Sequence, residues 1–465
     1  MLDLSWIVSS LGRESVRGEG IPSGRVSGVS VDTREGCSGK LFAALTGENS
    51  DGHCFLEQAV ESGAAALLIS REDSLGDLAE IPVFVVDDTL AALQKLAADY
   101  RSEFPVKCIG ITGTAGKTET KELLASILSR KYRVHATYGN YNNHIGVPLT
   151  ILSMERGTEV LVVELGANHE KEIELLASIA RPEIGVITNV GPGHLEFFRT
   201  LRGVARAKSE LIRSLPEEGL AVLPSECEFN ELFISSSDAD IVTFGFSEDA
   251  DWRVEILETT GSGGYIFELN AERLETDLSG RYHLLNIAAA AAACSALEVG
   301  SDDIVEAVRG FAAVDRRGSI FKVDDIIFVN DSYNSNPLSL RSSIEAFMEM
   351  PVRGRRWLVL GDMLELGETA ADLHREMGEF CGKAGIYGLV TLGEQTVYLS
   401  REAAGGRKAP EKISHFMNID KLSHFLNELL QSTDAVLLKG SRDMGMWRVI
   451  DGIESLRETE RKRVD

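Results

Sequence analysis

Ile109-Gly-Ile-Thr-Gly-Thr-Ala-Gly-Lys-Thr118 starts as a β-branched apolar run and ends as a glycine-rich loop closed by Gly-Lys-Thr. The apolar stretch Val106–Thr112 has the length of a strand. Downstream, Leu123, Leu124, Ile127 and Leu128 share one face of a helix. Strand, glycine-rich loop, Gly-Lys-Thr and helix is the setting of a phosphate-binding loop. Its glycines let backbone N–H groups approach phosphate oxygens, and the helix N-terminus adds positive potential. Lys117 can neutralise charge there and Thr118 can ligate Mg²⁺. The stretch departs from the strict GxxxxGK[ST] pattern, because Ile111 stands where the first Gly belongs, flanked by Gly110 and Gly113. The alternative is a strand–helix turn with a chance Lys-Thr, which the flanking elements disfavour.

Outward from this loop, apolar runs of similar length recur at Val160–Leu165, Gly185–Asn189, Ile326–Asn330, Trp357–Leu360, Leu389–Leu392 and Ala435–Leu438. Each leads through Gly, Asn or Asp into a helical pattern, as strands of parallel sheets buried on both faces do. Three units are expected. Residues 1–103 hold short strands and the helices Phe55–Gly63 and Leu90–Glu103. Residues 104–313 hold the phosphate loop, the six-alanine run Ala288–Ala293 and a strand-rich stretch near 219–282. That stretch alternates at Trp252–Leu257 and Gly264–Leu269, and reads as a small antiparallel annex. Residues 314–465 form a second α/β sheet, the boundary falling near Val314–Gly318.

At 465 residues, about two to four domains are expected. The composition is that of a globular chain: 44% hydrophobic and 26% charged, with 44 Gly and 11 Pro. The formal charge is −25, so non-specific binding to nucleic acid or anionic lipid is disfavoured. An anionic ligand needs a local site that defies the global field. Cysteines 37, 54, 108, 227, 294 and 381 have no metal-ligand spacing and read as reduced, mostly packed thiols. No basic region precedes the short apolar start, and no run is long enough to span a bilayer. The expectation is a cytoplasmic protein without membrane insertion.

Further polar residues fall at strand ends. Val160-Leu-Val-Val-Glu164 ends in a carboxylate, and Gly185-Val-Ile-Thr-Asn-Val-Gly-Pro-Gly-His194 ends in a turn carrying an imidazole. Singly, Glu164 reads equally as a solvated strand end and His194 as a turn histidine. With Thr118 at the carboxyl end of the same sheet, the three could hold nucleotide-bound Mg²⁺. Lys208 shares the apolar face of a helix over Leu201–Leu215 with Val204, Leu211 and Ile212. Such a lysine snorkels, is paired or is modified. Arg281-Tyr-His-Leu-Leu-Asn286, Arg316-Arg317, Asn330-Asp-Ser-Tyr-Asn-Ser-Asn-Pro337, Gly361-Asp-Met-Leu-Glu-Leu-Gly367 and Lys439-Gly-Ser-Arg442 are further polar clusters, each readable alone as a turn or cap.

Over essentially the whole chain, these blocks resemble the Mur ligase family. Val31-Asp-Thr-Arg34, Leu41-Phe-Ala-Ala-Leu-Thr-Gly47 and Asp51-Gly-His53 resemble its UDP-sugar-binding domain. Gly139-Asn-Tyr-Asn-Asn-His-Ile-Gly-Val-Pro-Leu-Thr150 and Glu164-Leu-Gly-Ala-Asn-His169 resemble the branch that adds D-alanyl-D-alanine to UDP-N-acetylmuramoyl-tripeptide in peptidoglycan precursor synthesis. The resemblance implies an N-terminal mixed α/β UDP-substrate domain, a central P-loop ATPase domain and a C-terminal Rossmann-like domain that closes over the site, acting as a monomer. It implies ATP contacts from Gly113, Thr114, Ala115, Gly116, Lys117, Thr118, Glu119, Asn286, Arg317, Asp331 and Asn334. Ser30, Asp32, Thr33, Arg34, Thr46, Gly47, Asn142, Asn143, Asn168, His169, Asn336, Lys439 and Arg442 would bind the other substrates. Lys117, Glu164, His194 and Lys208 would be catalytic. Thr118, Glu164, His194 and Lys208, the last as a carbamate, would hold two Mg²⁺.

Several residues depart from the family pattern. Ala115 and Glu119 stand where Asn, Ser or Thr is usual, and an acid beside the phosphates weakens ATP binding unless it faces away. Lys171 replaces a usual Gly, Phe198-Arg-Thr200 a Phe-Gly-Ser, and Trp447 a common acid. The rival readings are a diaminopimelate- or lysine-adding Mur ligase, a folylpolyglutamate synthetase, a non-catalytic binding protein of this fold and a plain P-loop ATPase.

Overall fold

Val160–Glu164 is a strand whose side chains go alternately to two cores: Leu161 and Val163 to one, Val160 and Val162 to the other. The adjoining strand Lys107–Thr112 does the same, with Cys108 on one side and Ile109 and Ile111 on the other. A sheet apolar on both faces needs helices on both. Thr89–Ser102, Gly146–Leu152, Glu172–Ala180 and Leu201–Arg213 cover one face, and Lys117–Leu128, Arg281–Ser295 and Ser301–Arg309 the other. The alanines Ala288–Ala293 are all buried, and their small side chains let Arg281–Ser295 lie close against Lys117–Leu128.

These elements belong to a computed structural model that describes residues 1–465 except 18, 19, 48, 49, 76–80, 262, 315 and 465. Asp315, inside the expected boundary segment Val314–Gly318, thus lies outside the described residues. The central sheet has nine strands, in the spatial order Glu272–Thr276, Tyr265–Leu269, Trp252–Thr259, Asp240–Gly245, Leu220–Pro224, Ile184–Ile187, Lys107–Thr112, Val160–Glu164, Val134–Ala136. The antiparallel annex is its first three strands. The annex is no separate sheet, and the stretch 219–282 is not antiparallel throughout: Leu220–Pro224 and Asp240–Gly245 run parallel to the phosphate-loop strand's neighbour, and Trp252 joins them in parallel register.

Residues from 319 onward build a six-stranded sheet ordered Ser319–Val323, Ile326–Asp331, Ala435–Lys439, Arg356–Gly361, Gly388–Leu392, Lys412–Phe416, parallel except for its first pair. Trp357 and Val359 face one core, and Leu358 and Leu360 the other. The first unit has four short parallel strands, Val29–Ser30, Leu41–Ala43, Ala66–Ile69 and Val83–Val85. Its core runs into the central one beside Thr89–Ser102, where Leu41, Leu68 and Phe84 join the cluster of Leu93, Leu96 and Leu161. That helix is capped by Asp88, which accepts from Leu90 N and Ala91 N. All six cysteines are free, four of them buried. Among the described residues no helix is long and apolar enough to cross a membrane.

Candidate active site

The phosphate loop bends back on the neighbouring strand end. Thr188 Oγ1 donates to Ala115 O at 2.6 Å, and Asn189 accepts from Ala115 N and donates to Ala115 O. Thr114 and Gly191 exchange hydrogen bonds through the Thr114 hydroxyl. Two glycines are required by close approach. A Cβ on Gly113 would lie 1.8 Å from Thr188 Oγ1, and one on Gly116 (φ 81°) 2.5 Å from Asn286 Oδ1. Thr188 and Asn189 were not singled out from sequence; their signal was a Thr-Asn pair at the end of a buried strand.

Behind the loop, Lys117 Nζ donates to Gly113 O at 2.8 Å. Burial pulls its ammonium below the ordinary lysine value, and the Glu164 carboxylate opposes that shift. Thr118 Oγ1 donates to Glu164 Oε2 at 2.7 Å, and Asn142 Nδ2 to Glu164 Oε1 at 2.8 Å. One buried carboxylate therefore joins the phosphate-loop helix to the loop at 140–146. Lys208 is only 6% exposed, so it does not snorkel. Burial first, and the nearby Lys117 charge second, push its amine well below the usual range.

The Glu119 carboxylate is engaged by neighbouring side chains: it accepts from His283 Nδ1 and Asn286 Nδ2, each at 2.8 Å. Burial pushes this carboxyl up, but the His283 charge, the two hydrogen bonds and Arg317 outweigh it and hold the group below its ordinary value. Asn286, tied through its nitrogen, keeps its oxygen over Gly116.

The opposite wall comes from the C-terminal unit. Lys439, at the end of Ala435–Lys439, donates to Asp331 Oδ2 at 2.6 Å and to Asn334 O at 3.0 Å. Arg317 lies 3.8 Å over the Tyr333 ring, and Arg442 approaches the same ring at 5.9 Å. Tyr333 was not anticipated, although it lies inside the quoted Asn330–Pro337 stretch. Asn336 caps Pro337–Glu349 in a reciprocal pair with Ser339, as its place before a helical pattern suggested. His194 (φ 54°) has Nδ1 2.6 Å from Glu365 Oε2 of the C-terminal unit. The contact is close but off the ring's N–H direction, and among the described residues the buried Nδ1 has no other partner.

Most of these groups surround one cavity of about 820 Å³. It is lined by Gly113 through Glu119, Asn142, Asn143, Glu164, Asn168, His194, Lys208, Asn286, Arg317, Asp331, Asn334, Asn336, Lys439 and Arg442. The remaining expected residues are elsewhere. His169 is turned outward, with its ring against Phe197 and Nδ1 3.1 Å from Glu172. Ser30, Asp32, Thr33, Arg34, Thr46 and Gly47 lie in the first unit: Arg34 forks onto Asp32, Thr33 donates to Gln58, and Ser30 to Asp32 O. Thr46 pairs with Asp51, and Gly47 N with Ser50 O. Tyr141, whose hydroxyl donates to Glu35 at 2.9 Å, links that unit to the loop beside the cavity.

The lining holds five Lys and Arg against eight Asp and Glu. A polyphosphate entering such a cavity needs added positive charge. Hard oxygen donors, Thr118 and Glu164, stand at the phosphate loop, and no three His, Cys, Asp or Glu converge among the described residues. That donor set fits Mg²⁺, which takes one or two protein oxygens and completes its shell with water and phosphate. Lys208, buried and with no ion pair among the described residues, fits a carbamate better than an ammonium.

Three family models match the chain: "Mur ligase family, catalytic domain" at 25–101, "Mur ligase middle domain" at 111–294 and "Mur ligase, glutamate ligase domain" at 316–442. A Bacillus subtilis (strain 168) protein named UDP-N-acetylmuramoyl-tripeptide–D-alanyl-D-alanine ligase is 34% identical over 434 residues, 92% of this chain and 94% of its own. The crystal structure of MurF from Acinetobacter baumannii superposes with a TM-score of 0.86 at 29% identity, covering 97% of this chain and 99% of that one. MurF ligase from Thermotoga maritima in complex with ADP gives 0.81 at 28% identity, covering 93% and 98%.

Proposed function

This chain belongs to the Mur ligase family, and from that premise we propose that it joins D-alanyl-D-alanine to UDP-N-acetylmuramoyl-tripeptide in an ATP-driven step of peptidoglycan precursor synthesis. One observation carries the reading. A phosphate loop in the central unit and Asp331, Lys439 and Arg442 in the C-terminal unit face the same cavity. A plain ATPase has no use for the second wall. The ADP-bound relative supports ATP as the nucleotide. We assign UDP-substrate binding to residues 1–103, ATP binding to 104–313 and closure over the site to 314–465. The three matched models, which fall inside these spans, support that division.

The tripeptide's terminal carboxylate attacks the γ-phosphorus of ATP, forming an acyl phosphate and releasing ADP. The dipeptide's amine then attacks the acyl carbon, and the tetrahedral intermediate expels phosphate as the amide forms and the amine sheds its proton. Lys117, anchored on Gly113 O, offsets charge on the transferring phosphoryl group. Asn142 and Thr118 fix the Glu164 carboxylate. Thr118, Glu164, His194 and Lys208, the last as a carbamate, would hold two Mg²⁺, which supply positive charge to the phosphate oxygens. Docking of the C-terminal unit excludes water from the acyl phosphate and aligns the amine.

The test is phosphate release from purified protein with Mg²⁺ and ATP, adding the UDP-muramoyl tripeptide and D-alanyl-D-alanine singly and together. Release that needs both, with a product heavier by one dipeptide, is expected. Release with ATP alone identifies an ATPase, and tight UDP-substrate binding without release identifies a binding protein.

A further inference from the structure

Gly361–Gly367, the loop after the strand Arg356–Gly361, is held as a rigid arm of the C-terminal unit. Asp362 accepts from Gln395 N and Thr396 N. Met363 N donates to His374 Nε2, and Leu364 N to Ser441 Oγ. The arm reaches across to the central unit. Glu196 N donates to Glu365 O at 3.1 Å, and Gly367 (φ 56°) sits where a Cβ would lie 3.0 Å from Glu196 Cα. At its tip, Glu365 brings Oε2 to 2.6 Å from His194 Nδ1.

A carboxylate oxygen that near an imidazole nitrogen favours a hydrogen on that nitrogen even though the contact lies off the ring's N–H direction, and Nδ1 has no other partner among the described residues. An Nδ1–H turned toward Glu365 leaves Nε2 its lone pair. We propose that Glu365 is a positioning residue: from the C-terminal unit it orients the His194 ring so that Nε2 is presented as a divalent-cation ligand. The proposal rests on the reading of His194 as such a ligand. A carboxylate behind a ligating histidine sets its orientation and basicity. Here the carboxylate belongs to the unit that must dock, so the ring is set only while the arm is in place. Turnover without a docked C-terminal unit is thereby disfavoured.

The experiment measures Mn²⁺ binding to the full-length protein with ADP, by electron paramagnetic resonance of free Mn²⁺. The proteins are wild type, Glu365→Ala, Glu365→Gln, His194→Ala and the Glu365→Ala/His194→Ala double variant. Glu365→Ala is expected to weaken Mn²⁺ binding roughly 10-fold. Glu365→Gln, whose amide oxygen still accepts from Nδ1–H, recovers most of that loss. His194→Ala weakens binding at least as much, and the double variant no further. If His194→Ala leaves Mn²⁺ affinity unchanged, the ligand reading of His194 falls and the proposal falls with it. If His194→Ala weakens binding while Glu365→Ala does not, or the two losses multiply, His194 stands as a ligand and Glu365 is reduced to a docking contact.

Discussion

Lys208 is buried, and among the described residues no carboxylate pairs with it, yet it lines the cavity beside the phosphate loop. A bare ammonium there is costly, and a carbamate removes the problem by making the side chain an anionic ligand. Protein incubated with ¹³C-bicarbonate should show a carbamate carbon signal by NMR that Lys208→Ala lacks. That variant should lose about 100-fold in ligase rate, corresponding to about 3 kcal/mol of lost metal-based charge stabilisation. A Lys208→Ala protein with no carbamate signal and wild-type rate would sink the assignment. Lys117→Ala should end ATP turnover while leaving UDP-substrate binding measurable by calorimetry, because the first unit's residues lie outside the loop it disrupts. Survival of turnover would mean that the loop does not hold the phosphates. Lys117 stood out through its motif, whereas spacing placed Lys208 on an apolar face and left its role open until the family resemblance supplied one. Glu365 was not legible, because its partner lies 171 positions away in another unit, and only the folded chain brings the two within 2.6 Å.

Among the elements, the continuous apolar runs, the alternating stretches of the annex and the phosphate-loop helix were legible because burial on two faces or one writes itself into the pattern of apolar residues. The parallel course of Leu220–Pro224 and Asp240–Gly245 was not, since alternation does not tell which neighbour a strand will pair with. Backbone handedness was hidden as well. Lys171 and Arg199, where the family resemblance leads one to expect glycines, lie at φ 71° and φ 65°, where a side chain is strained. Arg199→Gly should relieve about 1 kcal/mol, raising the thermal midpoint by about 2 °C in differential scanning calorimetry. A midpoint that falls would show that the Arg199 side chain contributes more than its backbone costs. In the C-terminal sheet, Asp434 is buried and takes three hydrogen bonds from the Arg355 guanidinium, two of them from Nε, and one from Trp357 Nε1. Burial raises its carboxyl, but Arg355 and two backbone N–H groups hold it below the ordinary value. Its folded value being the lower one, its stabilisation is complete above the unfolded value near pH 4 and is lost as pH falls through the folded one. Asp434→Asn should cost about 2 kcal/mol at pH 7 in denaturant titrations, and the cost should shrink toward pH 3. A cost unchanged between pH 7 and pH 3 would rule out the charged pair as its origin.

For the whole molecule, the decisive quantity is sign of charge. The chain carries −25, and even the cavity lining has more acids than bases. Both proposed anionic substrates must therefore approach against the field, and Lys117, Arg317, Lys439 and Arg442 do not offset it alone. Lys117 is already engaged with Gly113 O and Lys439 with Asp331, and Arg317 lies over the Tyr333 ring. Long-range repulsion is screened within about 10 Å at 0.1 M salt, whereas contacts inside the cavity are screened much less. Two consequences can be separated in one calorimetric series. Removing Mg²⁺ with EDTA should weaken ATP binding at least about 10-fold, a loss of about 1.4 kcal/mol, because the lining acids then face bare phosphates. Raising salt from 20 to 150 mM should ease the metal-free binding rather than oppose it, the reverse of what a basic nucleotide site shows. Metal-free ATP binding as tight as Mg²⁺-ATP, or one that weakens with salt, would mean that the basic residues alone dominate the cavity. The division of labour between protein cations and metal argued from its lining would then be wrong.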